Sequence, residues 1–265
     1  VPVLYLCAVN LNQLEKIKVG IVNYLNTRPL LYGIEQAPVI RSIELIRDYP
    51  AHIASFLLEG SIDLGLVPVA ILPRLKEYHI VTDYCIGSDG PVASVCLFSD
   101  VPIEEVKEVL LDYQSRTSVA LAKLLLRDYW KVSPKLSDTH ADYRSRIKGN
   151  TAGLVIGDRS FEQRKVSPFI YDLGEAWKNF TGLPFVFAAW VCNKKLDEKF
   201  IEDFNAANRE GVRNISKILQ GNDYPLFDLN KYYNSYISYN LDDRKRKGLQ
   251  KFLELKEGIV EKQSL

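Results

Sequence analysis

Four polar clusters, each closing an apolar run, carry the residue types in this chain best suited to chemistry. They are Asn23, Asn26 and Thr27 in VNYLNTRPL (22–30), Ser88, Asp89 and Ser94 in GSDGPVAS (87–94), Ser115 to Ser118 in QSRTS (114–118), and Asp158 after GLVIG (153–157). QSRTS opens an apolar helical run. A helix start leaves about four amides unpaired and carries roughly half a positive charge. Three hydroxyls and Arg116 at such a start suit a carboxylate or a phosphate. Each hydrogen bond to a charged oxygen is worth about 1.5–3 kcal/mol, so three or four would hold a small anion at about micromolar affinity. The plainer alternative is that Ser115 only caps the helix, and the stretch by itself leaves both open. YLNTRP is likewise either a capped turn or one wall of a site. GSDGP is a turn signal in any case, and Asp158 with Arg159 can be a strand-end ion pair.

The elements that must position these clusters alternate. KVGIVNY (18–24), APVIRSIEL (37–45), IDLGLVPVAIL (62–72), VASVCLFS (92–99), VKEVLLD (106–112), AGLVIGD (152–158), PFIYDL (168–173) and FVFAAWVCN (185–193) read as strands. Helices are expected after Asn26 or Thr27 with Pro29 in the first turn, after Asp48 with Pro50 in the first turn, over 115–130, at EAWKNF (175–180), and over a purely helical tail at 197–220 and 242–260. Trp177 and Trp190 read as core or lobe-interface aromatics. Strand–helix alternation with short loops predicts an α/β protein of two lobes, each a mostly parallel sheet flanked by helices. A helical tail cannot extend a sheet, so it should pack back on the first lobe. The predicted organisation is an N-terminal extension at 1–15, a discontinuous lobe of 16–98 plus 190–265, and a second lobe of 99–189. Ligands of open parallel sheets bind beyond the carboxyl ends of the strands, so the four clusters should line one cleft.

Composition narrows what enters that cleft. Lysine plus arginine (34) nearly cancels aspartate plus glutamate (33), which disfavours nucleic acid or an anionic membrane as partner. Cys7, Cys85, Cys96 and Cys192 form no C-x-x-C pair, and His52, His79 and His140 lack metal-ligand spacing. A reduced interior with no structural metal follows, and with it the cytoplasm. Residues 1 to 9 are apolar but have no basic leader or small-residue cleavage site, and they are too short to span a bilayer. Glycine-rich nucleotide motifs, G-x-S-x-G and H-E-x-x-H are missing. The residues alone lead to a two-lobed protein that clamps a small organic anion without cofactor or metal.

Six stretches in order extend this reading: VGIVNYLNTRPLLYGIE, LEGSIDLGLVPVAIL, IGSDGPVASV, SRTSVALAKLLL, GLVIGDRS and YDLGEAWKNFTGLPFVFAAWV. Together they resemble the MqnA family, the chorismate dehydratases of the futalosine route to menaquinone, from about Lys16 to beyond residue 250. The resemblance implies the type II periplasmic-binding-protein fold and a cytoplasmic lyase that removes water from chorismate to give 3-[(1-carboxyvinyl)oxy]benzoate. It implies that Ser115, Thr117 and Ser118 bind one carboxylate and that Asn26 and Ser94 lie near the reacting ring. Tyr24, Thr27, Ser88, Arg116 and Asp158 complete the implied substrate-binding set. The sister dihydroxynaphthoate synthase shares the fold but has a Ser-Pro-Cys-Pro-Asn-Asp type of first loop, so YLNTRPL sides with the dehydratase. A non-catalytic solute-binding protein is the rival from another class, and a homodimer is left open.

Overall fold

The computed structural model describes residues 16–221 and 224–262, so the expected extension at 1–15 lies outside the described residues. In chain order β1 (Ile17–Val22), α1 (Arg28–Gln36), β2 (Ile43–Asp48), α2 (Pro50–Glu59), β3 (Leu64–Pro68) and β4 (His79–Ser88) come first. Then follow β5 (Val95–Ser99), β6 (Glu108–Leu111), α3 (Thr117–Asp128), β7 (Lys135–Asp138), β8 (Thr151–Ile156), α4 (Arg159–Gln163), β9 (Phe169–Asp172) and α5 (Leu173–Thr181). The chain closes with β10 (Phe185–Cys192), α6 (Glu198–Arg213), α7 (Ile215–Leu219), α8 (Leu229–Lys231), β11 (Ser238–Asn240) and α9 (Asp243–Lys262).

Two sheets result, a six-stranded one in the order β11-β4-β10-β3-β1-β2 and a five-stranded one in the order β7-β6-β8-β5-β9. Both are mixed rather than mostly parallel. β1 runs parallel to β2 and β3, and β6 to β7 and β8, whereas β10, β11 and β5 pair antiparallel with their neighbours. The reason is connectivity: β5 and β10 enter their sheets from the opposite lobe, so no crossover helix sets their direction. The drawn boundaries at 98/99 and 189/190 fall inside these two strands. Ladder bonds keep each strand whole in one sheet, so the chain crosses between Ser88 and Val95 and again between Asp172 and Phe185.

Local differences have equally local causes. APVIRSIEL begins as a 3-10 turn, Pro38–Ser42, and only then becomes β2. In the apolar run IDLGLVPVAIL the strand Leu64–Pro68 is fully buried, as expected, but past Pro68 the chain turns into a 3-10 helix, Val69–Arg74; an unbroken apolar run fits either state. The tail is not purely helical, because β11 pairs with β4 and forms an edge of the larger sheet. Trp177 and Trp190 are fully buried in the main core. α1 is fixed against α6 by close backbone approach, since a Cβ on Gly33 would stand 2.0 Å from the Ala207 carbonyl oxygen and one on Gly211 1.9 Å from that of Pro29. That contact anchors the end of the loop that carries Asn26. Among the described residues no helix is long and apolar enough to cross a membrane.

Candidate ligand-binding cleft

About 570 Å³ of atom-free space, mouth included, lies where the two sheets face each other. Its polar lining is Tyr24, Asn26 and Thr27 from the loop after β1, and Ser115, Thr117 and Ser118 from the start of α3. Leu66, Ile86, Val92, Val95, Ile156 and Phe187 form apolar walls that suit a flat carbon skeleton. None of the lining residues is a lysine, arginine or histidine. An anion held here is therefore held by hydroxyls and amides.

The loop after β1 is a 3-10 turn, Leu25–Thr27. The Thr27 hydroxyl lies 2.6 Å from the Val22 carbonyl and 2.8 Å from that of Tyr24, so it closes the turn, and no side chain caps α1. Two bonds cross from this loop to the other lobe. The Tyr24 hydroxyl donates to the Gln114 side-chain oxygen, and the Leu25 amide donates to the Asp158 carboxylate at 3.1 Å. Burial pushes Asp158 above the usual carboxylate range, against the Leu25 amide and the Arg28 charge. The Asn26 side-chain oxygen is buried and has no hydrogen-bond partner among the described residues. Its backbone carbonyl accepts from the Tyr239 hydroxyl at 2.9 Å. A buried acceptor left without a donor costs about 1–3 kcal/mol, a debt a bound donor would remove.

Across the cleft, Ser115 does act as a cap: its Oγ accepts from the Ser118 amide at 3.0 Å. The Thr117 hydroxyl accepts from the Ala70 amide at 3.1 Å, which joins the lobes again and leaves the Thr117 proton to donate. Behind this helix start, Asp112 is buried and paired with Arg159 at 2.7 Å, and it accepts from the Gln114 amide at 2.9 Å. Arg159 also donates to the Gln114 side chain at 2.9 Å, so the residue that receives Tyr24 is itself held in place.

Not every expected residue reaches the cleft. Asn23, Asp89 and Arg116 are exposed and do not line it. Ser88 is fully buried outside the lining, and its hydroxyl has no partner among the described residues. Asp158 acts on the loop backbone through Leu25 rather than on the cavity. Ser94 is fully buried and is itself outside the lining, but it sits between the lining residues Val92 and Val95, and its carbonyl accepts from the amide of Gly157, another lining residue.

Two supports of Ser94 escape sequence reasoning. Asp172 accepts from the Gly174 and Glu175 amides as the cap of α5 and also from the Val92 and Ala93 amides, two residues and one residue before Ser94. The signal for the cap was present, an Asp-x-x-Glu spacing at 172–175; nothing local pointed to 92 and 93. Tyr232 donates to the Ser94 hydroxyl at 2.7 Å from a π-helical turn, Tyr232–Tyr236. Among the described residues no group of three or more His, Cys, Asp or Glu could hold a metal ion.

A family model described as menaquinone biosynthesis matches residues 17–257. A chorismate dehydratase from Thermus thermophilus is 25% identical over 260 residues, covering 89% of this chain and 93% of its own. One from Campylobacter jejuni is 23% identical over 246 residues, covering 89% and 95%. Among solved structures, an Archaeoglobus fulgidus protein superposes with a TM-score of 0.71 at 16% identity, covering 93% of this chain and 98% of its own. A Candida albicans protein described as having the generic periplasmic binding protein fold gives 0.61 at 14% identity, covering 91% and 90%. The structural likenesses carry the fold, a two-lobed binding-protein architecture, and the family model carries the kinship: this chain belongs to the menaquinone biosynthesis family.

Proposed function

We propose that the protein is a chorismate dehydratase, a cytoplasmic lyase that forms 3-[(1-carboxyvinyl)oxy]benzoate at the head of the futalosine route. The observation that carries this reading is the orphaned Asn26 oxygen in the same cleft as the hydroxyl-rich start of α3. One side offers an acceptor with no donor, and the other offers donors to a carboxylate. Chorismate brings both complements, a ring hydroxyl and two carboxylates. Named relatives with the same activity support the choice.

In this reading Ser115, Thr117 and Ser118 hold one carboxylate, while Asn26 and Ser94 orient the departing hydroxyl. The ring oxygens of chorismate are trans, so the hydroxyl and the proton on the ether-bearing carbon leave from one face. The carbon–hydrogen and carbon–hydroxyl bonds break, the ring becomes aromatic, and hydroxide and proton depart as water. Asn26 is no base at neutral pH, so the substrate's enolpyruvyl carboxylate or a water takes the proton. Aromatisation drives the step, and the protein's task is orientation and exclusion of competing rearrangement.

Incubation with chorismate, followed by mass and ultraviolet absorbance, tests the reading. An aromatic product lighter by one water supports it, and chorismate bound but returned intact overturns it in favour of a receptor. Asn26→Ala and Ser94→Ala should each lower turnover by about 10²–10³-fold, the scale for losing one oriented hydrogen-bonding group; near-normal turnover would remove those two assignments.

A further inference from the structure

The tail that builds β11 reaches back to the two residues placed nearest the chemistry. Tyr239 holds the Asn26 carbonyl at 2.9 Å, and Tyr232 holds the Ser94 hydroxyl at 2.7 Å. Both tyrosines and Ser94 are buried. The Tyr232 hydroxyl has no other hydrogen-bond partner among the described residues. A buried phenol that donated nowhere would leave its proton unsatisfied, so the proton of this pair sits on the Tyr232 side and points at the Ser94 oxygen.

That assignment fixes the Ser94 hydroxyl. Its oxygen is an acceptor for Tyr232, and its own proton is free to donate elsewhere. The competing acceptor is the Val92 carbonyl at 3.5 Å, the long limit for such a bond. The Tyr232 ring is held against rotation by Phe161 of α4, edge-on at 5.1 Å, and by Phe227 at 6.1 Å. A segment reached from the six-stranded sheet thus sets a hydroxyl at the start of β5 in the other sheet.

We propose that Tyr232 is a positioning residue that holds the Ser94 hydroxyl as a hydrogen-bond donor toward the cleft, with Tyr239 holding the Asn26 backbone. The role in turnover rests on the dehydratase reading; the orientation of Ser94 does not. In the absence of Tyr232's proton, Ser94 would turn its own proton to the Val92 carbonyl and cease to aim at a leaving hydroxyl.

The test is Tyr232→Phe in the full chain, which removes one oxygen and keeps the ring contacts. Crystal structures of the native protein and the variant read the Ser94 rotamer directly. Kinetics with chorismate read kcat and KM separately, alone and combined with Ser94→Ala. The expected result is a Ser94 hydroxyl turned toward Val92, kcat lower by about tenfold with KM within about twofold, and no added loss in the double variant. An unmoved Ser94 in the variant, or losses that multiply in the double variant, would overturn the proposal. A native protein inert toward chorismate, with Ser94 turned in the variant, would remove the dehydratase reading and leave the orientation standing. Thermal unfolding of Tyr232→Phe near that of the native chain excludes a general loosening as the cause.

Discussion

Asp172 holds Ala93. Its carboxylate accepts from the Ala93 amide at 2.7 Å, and Ala93 is one of two non-glycine residues among those described with a left-handed backbone, φ 62°. The same carboxylate caps α5. One buried side chain therefore pins the bend that delivers Ser94 and starts the helix that packs under it. Asp172→Ala should destabilise the protein by about 3 kcal/mol or more, since it removes a cap and strands buried amides. Ala93→Gly should be neutral or stabilising by up to about 1 kcal/mol, because the left-handed strain disappears. Urea unfolding of both variants checks the pair; a loss below about 1 kcal/mol for Asp172→Ala would show that the bend holds itself.

What could be read from the sequence and what could not divides by distance along the chain. The loop at 24–27 and the helix start at 115–118 were legible because strand ends, caps and hydroxyls sit within a few residues of one another. The supports of Ser94 were not, because Asp172 and Tyr232 come from 78 and 138 positions away and no local pattern announces the meeting. β11 is three residues long and shows no alternation. Its pairing with β4 is a tertiary event, as is the 3-10 turn that follows Pro68 in a run equally good for a strand. Arg116 drew notice by type, yet helix geometry turns it to solvent while its neighbours Ser115 and Thr117 face the cleft.

The absence of a cation from the lining makes a contrast between two adjacent residues. Thr117→Val keeps the shape but loses the acceptor for the Ala70 amide and the donor to a ligand. It should lower kcat/KM for chorismate by about tenfold or more, the scale of one charge-assisted bond. Arg116→Ala should leave kcat/KM within about twofold, and raising the salt should change KM little. Steady-state kinetics at low and high ionic strength check both. A large loss with Arg116→Ala would mean that the arginine swings in when ligand binds.

Gly157 is where the loop of one lobe lies on the other. Its φ is 64°, and a Cβ there would stand 3.1 Å from the Tyr24 ring. Gly157→Ala should therefore strain the backbone by about 1–2 kcal/mol and push Tyr24 from its bond to Gln114. The expected signature is a raised KM with stability only modestly reduced. Gln114→Ala should give the same rise without the backbone strain. A KM unchanged in both would show that the Tyr24–Gln114 link does not govern ligand retention.

Asp158 supplies a pH signature with a definite sign. Burial raises its folded value above the ordinary 3.8, so the folded chain binds this proton more readily than the unfolded one. Stability contributed by the group is then fully present below 3.8 and falls as pH rises through the folded value. Asp158→Asn keeps an acceptor for the Leu25 amide and carries no proton to lose. Relative to the native chain, the Asn variant should gain stability as pH climbs from 3.8 through the folded value and hold that gain at neutrality. Asp158→Ala, which drops the tie to Leu25 altogether, should also raise the KM for chorismate. Unfolding series on the three proteins across that window decide the matter: parallel pH profiles for native and Asn forms would mean that Arg28 and the Leu25 amide offset burial at this carboxyl.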